Sequence, residues 1–147
     1  MSRGLAVLLA AVAGCFVGLQ APINARLGRQ VGSLQAATVS FLVGTLVLVL
    51  VASVSSRGLG TITSAGRAPW WALVGGILGA VYVTVALVTV RTLGVSGLTA
   101  IVVSGQLAIA VLVDRFGLLG IAKQHIDASR VVGLVFLLVG VVLVVRR

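Results

Sequence analysis

The chain has 147 residues, of which 60% are hydrophobic and only 9% charged, with 19 glycines and a formal charge of +9. A soluble domain carries roughly 25% charged residues, so this chain lacks the polar atoms to cover a water-facing surface; composition makes it an integral membrane protein, and the length of its apolar runs makes it all-α. The positive charge does not make it a nucleic-acid binder, because the basic residues stand singly or in pairs between apolar runs instead of forming a patch with aromatics to stack on.

Five apolar runs follow in order, 5–23, 33–54, 71–90, 95–113 and 126–145. Each is close to the roughly 20 residues that cross about 30 Å of hydrocarbon as a helix, which predicts a single five-helix transmembrane domain over 1–147. The N-terminal Arg3, a short apolar stretch and Val12-Ala13-Gly14-Cys15 imitate a lipoprotein signal. The apolar run continues through Phe16 and Val17 with four more spans behind it, so Cys15 reads as an ordinary packed side chain. No second cysteine exists to form an intrachain disulfide, and the lone His125 has no neighbouring Cys or Glu, so neither a metal site nor a cofactor is expected.

The first run closes on Gly18-Leu-Gln20-Ala-Pro22-Ile-Asn24-Ala-Arg26-Leu27-Gly28. Pro22 offers no amide hydrogen and its ring crowds the carbonyl of Gly18, which predicts a distorted or ended helix there. Gln20 and Asn24, four apart, share a helix face. Either that face turns inward to a cavity, or Pro22 ends the helix and both amides sit among headgroups. Loops are expected at 25–32, carrying Arg26 and Arg29, and at 55–68, carrying Arg57 and Arg67. Pro69-Trp70-Trp71 then opens the third helix as an interfacial aromatic anchor. The last run is short, and its start is expected to use Asp127 near the first turn and a snorkelling Arg130.

Small residues recur at packing intervals in the pairs Gly14 and Gly18, Gly75 and Gly79, and Gly133 and Gly140. Helices that meet in lipid do so where small residues let backbones approach. Measured from the middle of each run at about 1.5 Å per residue, Ser40, Tyr82, Ser104 and Gln106 fall near the midplane. A serine there can bond the carbonyl one turn back, whereas the amide of Gln106 needs another helix or a cavity, for packing or for a solute pathway. Asp114 closes the fourth run beside Arg115. Adjacent helical residues point about 100° apart, so the two need not pair. No nucleophile with its base, Walker loop or metal-ligand cluster is present, which argues against an enzyme.

These polar and glycine positions carry a resemblance. Gly18 to Leu27 as quoted, Gln35-Ala-Ala-Thr-Val-Ser40-Phe-Leu-Val-Gly44, Gly75-Gly76-Ile-Leu-Gly79-Ala-Val-Tyr82, Leu93-Gly94, Ser104-Gly-Gln106-Leu and Asp114-Arg-Phe-Gly117 together resemble the YdcZ family of the drug/metabolite transporter superfamily, nearly end to end. The resemblance implies five helices per unit, equivalent to half of an inverted-repeat transporter, and an export role in the bacterial inner membrane with no substrate assigned. Small multidrug exporters of that superfamily carry a glutamate in the first helix, where this chain has Gly14, Cys15 and Gln20. Cation exchange by such a carboxylate is therefore not carried over.

The leading expectation is a small-molecule transporter in the lipid bilayer, an antiparallel homodimer or a pair with a paralogue, using Gln20, Asn24, Ser40, Tyr82, Ser104, Gln106 and Asp114. The alternative is a structural or accessory subunit that transports nothing. Five spans put the termini on opposite faces, one face with Arg3, Arg57, Arg67, Arg115, Lys123 and Arg130, the other with Arg26, Arg29, Arg91, Arg146 and Arg147. Six against five gives almost no orienting instruction, so insertion in both directions is expected. Asn24 and Asp114, each about 15 Å from the middle of its run on opposite sides, would then reach the same depth in antiparallel protomers.

Overall fold

A computed structural model describes residues 1–55, 58–125 and 127–146. Arg57, Ile126 and Arg147, used above in counting charge and in bounding the fifth run, lie outside the described residues. Among those described, the chain is helical without strands: α1 (Arg3–Val31), α2 (Ser33–Val54), α3 (Val74–Phe116) and α4 (Ala128–Val145), with 3-10 turns at Leu59–Arg67, Trp70–Leu73 and Leu118–Gly120. Four helical stretches are long and apolar enough to cross a membrane, Arg3–Val31, Ser33–Val54, Trp70–Phe116 and Ala128–Val145.

Two expectations change. Pro22 neither ends nor breaks α1, which runs on to Val31, so the loop expected at 25–32 is helix carrying Arg26 and Arg29. Proline removes one donor, but the turns on either side keep their own hydrogen bonds and the helix passes through. The link to α2 is Gly32 alone, at φ 94° and ψ 153°, a conformation that is essentially glycine's. A Cβ at that position would also collide with the Gln35 side chain. The third and fourth runs are two helices, as expected, and meet without an intervening loop. They form α3, interrupted only at Gly94, whose φ 69° and ψ 171° break the helical torsions inside a 43-residue element. Each side of Gly94 is roughly the 20 residues that one crossing needs. As expected, Pro69 precedes the helical stretch, which opens with a 3-10 turn carrying exposed Trp70 and Trp71 and runs on as α3.

The chain divides into two compact units, Met1–Arg91 and Thr92–Arg147. The first holds α1, α2 and the opening part of α3. Its interior is built of small side chains, Ala25, Ala36, Ala37 and Ala86, around Leu87, the largest fully buried residue, while Phe16, Leu42, Leu48 and Ile77 face outward. This distribution suits lipid, where large apolar side chains gain nothing by turning inward and close backbone approach supplies the attraction. Gly28 illustrates it, with Leu87 Cδ2 at 3.5 Å and Ala36 Cβ at 3.7 Å from where its own Cβ would stand.

The second unit holds the rest of α3, the 3-10 turn at Leu118–Gly120 and α4. Gly97 faces Val145 Cγ2 at 3.9 Å. Of the six glycines expected at helix contacts, Gly79 meets the Phe41 ring. Gly14, Gly18, Gly75, Gly133 and Gly140 have open space around them among the described residues.

Candidate functional site

Helical spacing puts Gln20, Ala21 and Asn24 on one stripe of α1, and it puts Tyr82, Val83, Ala86 and Leu87 on one stripe of α3, at steps of three and four. These seven residues line a cavity inside the first unit. It offers about 10 Å³ for the centre of a water-sized body, the room that one water needs, ~10–15 Å³. Three of its walls are polar, Gln20, Asn24 and Tyr82, and none carries a formal charge.

Asn24 is the buried polar residue of this unit, 6% exposed. Its Oδ1 accepts a hydrogen bond from the Ser40 hydroxyl of α2 at 2.6 Å. Its Nδ2 is buried and has no partner among the described residues. Ser40 belongs instead to a neighbouring groove with Phe41, Gly44 and Thr45, and Gln20 borders both that groove and the cavity. A lone amide of this kind is costly: an unmet buried donor sacrifices ~1–3 kcal/mol of desolvation. Such a group is therefore rare in folded chains and calls for an explanation.

The polar residues of the second unit are arranged differently. The Ser104 hydroxyl bonds the Ala100 carbonyl of its own helix at 2.9 Å. Gln106 is exposed and lines an open groove with Ile109, Val113, Asp114 and Ile121. Among the described residues Asp114 pairs with Arg130 and not with the adjacent Arg115. Arg130 reaches back from α4 to its Oδ2 at 3.2 Å and donates its other nitrogen to Gln124 Oε1 at 2.9 Å. The Gln124 backbone N–H in turn bonds the Asp114 carbonyl at 2.9 Å. So Arg130, expected to snorkel to the headgroups, is an exposed side chain that also closes the loop between α3 and α4. Its partners had no visible signal in the sequence beyond the sixteen-residue separation that a tight helix–loop–helix return allows.

Asp127 caps α4 by accepting the Arg130 backbone N–H at 3.0 Å. That bond first, and the Ser129 hydroxyl second, hold its carboxyl below the usual carboxylate range. Gln20, Asn24, Ser40 and Tyr82 are thus brought together in the first unit, and Ser104, Gln106 and Asp114 lie in the second. Asn24 is buried within its own protomer and Asp114 is engaged by Arg130, so an approach of the two across a dimer would have to displace both sets of contacts.

Over residues 5–143 the chain matches the family described as "Putative inner membrane exporter, YdcZ". Neither the curated proteins nor the solved structures contain a match.

Proposed function

The chain belongs to the YdcZ family of inner-membrane exporters, and from that premise we propose that it moves small molecules across the inner membrane by alternating access, as an antiparallel homodimer. The observation that carries the reading is the unpaired Asn24 Nδ2 beside Gln20 and Tyr82. A subunit that only held helices together would gain most by satisfying that donor or replacing it with an apolar side chain. A transport site gains by keeping it, because the donor is met when a solute arrives. An exporter is not a class of enzyme, and the two acidic residues of the chain are both committed, Asp114 to Arg130 and Asp127 to its helix cap.

The near-balanced basic residues support the homodimer. A chain that inserts both ways supplies its own inverted partner, which longer transporters encode as a second repeat, with a pathway near the midplane between them. The test is a flux screen in proteoliposomes against cations, anions and neutral metabolites. Transport of at least one class above empty liposomes is expected, and no flux for any class overturns the reading.

A further inference from the structure

We infer that the Asn24 cavity recognises uncharged solutes through a carbonyl oxygen and rejects cations, an inference that rests on the transport reading. Asn24 is the one asparagine in the chain. Its amide offers an acceptor, Oδ1, and two donors on Nδ2. The acceptor is taken by Ser40, which is not a wall of the cavity, so Nδ2 is the end of this cavity-lining side chain that is left without a partner.

Whatever meets that end must accept a hydrogen bond. Ammonium and guanidinium groups only donate, so they leave Nδ2 unmet and find no carboxylate on any wall. An anion would accept, but it would shed its hydration against Ala21, Val83, Ala86 and Leu87 with no counter-charge. The nearest cation along α1 is Arg26, which faces a separate groove with Pro22, Ile23 and Gln30. A neutral acceptor meets the donor without either cost. With room for about one water, the cavity reads one functional group of a solute and does not enclose the whole molecule.

Because the asparagine is unique, the full chain in lipid nanodiscs labelled with side-chain 15N-asparagine gives one Nδ2 resonance to follow. Acetamide, tetramethylammonium and acetate are probes of similar size that differ in charge. Acetamide should move the Nδ2 protons saturably, and the two ions should need at least about tenfold higher concentration or have no effect. An unmoved resonance with acetamide, or an equal response to either ion, overturns the assignment. Flux of the same three probes in proteoliposomes is read separately. Acetamide that shifts the resonance but does not cross faster than in empty liposomes removes the transport reading and leaves the chemistry of the site standing. An ion that crosses and shifts Nδ2 as well as acetamide does the reverse.

Discussion

Asp127 and Asn24 show how differently a polar side chain can be used in an apolar chain. The Asp127 carboxylate sits at the water-facing start of α4, where capping offsets the unpaired N–H groups of the first turn. Its lowered pKa fixes the sign of a pH effect. The cap is fully present above the ordinary carboxylate value of 3.8 and is lost as pH falls through the lower folded value. Amide exchange at Arg130 and Val131 should therefore quicken on acidification below that range. Asp127→Asn, which caps without titrating, should show no such acid step, and a step of unchanged size in that variant would assign it elsewhere. Asn24 is buried beside room for about one water, and on the proposed reading its free donor is the point that a solute meets. The sequence showed that Gln20 and Asn24 share a face, since a spacing of four is explicit in it. The Ser40 and Tyr82 partners were not legible: counting along the runs put both near the midplane and Asn24 about 15 Å from the middle of its own, whereas α1 runs on to Val31 and brings Asn24 beside both. Nothing in the spacing could tell that Asn24 would be satisfied at one end and not at the other.

At the scale of elements, hydropathy marked α2 to the residue, because both its ends coincide with the limits of an apolar run. It misplaced the end of α1 because Arg26 and Arg29 read as loop, whereas a helix that continues past the apolar run can carry them on its exposed side. The inward stripe of α3, Val83, Ala86, Leu87 and Val90, was hidden for a related reason: when every face is apolar, periodicity does not distinguish the buried one. The hinges are where glycine is required. Gly94 has open space around it, so Gly94→Ala meets no clash and its cost is backbone strain alone, ~1–3 kcal/mol. Gly32→Ala should cost about the same, since the side-chain end of Gln35 that its Cβ meets can move aside and strain is again what remains. Thermal unfolding of the two variants in detergent should show both midpoints lowered by similar amounts, and an unchanged midpoint for Gly94→Ala would mean that the break is not held at that residue.

For the whole molecule, the charge count makes a prediction about insertion. A topology reporter fused after residue 147 should be found on both sides of the inner membrane, and two or three lysines added within 25–32 should drive the population to one side. A C-terminus confined to one side before any charge is added would replace the homodimer with a pair of oppositely inserted paralogues. The family match places the chain in the inner membrane and supports an export role, and the unpaired amide is where the proposal locates that work. Asn24→Leu separates the two meanings of that amide. Removing it takes away an unmet donor, and Ser40 can turn to the carbonyl one turn back, as Ser104 and Thr38 already do, so stability should change by less than ~1 kcal/mol. The most direct measurement is solute release from proteoliposomes holding equal amounts of wild-type chain and Asn24→Leu, using the solute moved fastest in the flux screen. The account predicts release by the variant at about a tenth of the wild-type rate or less, with the unfolding midpoint nearly unchanged; equal release by the two proteins would contradict it.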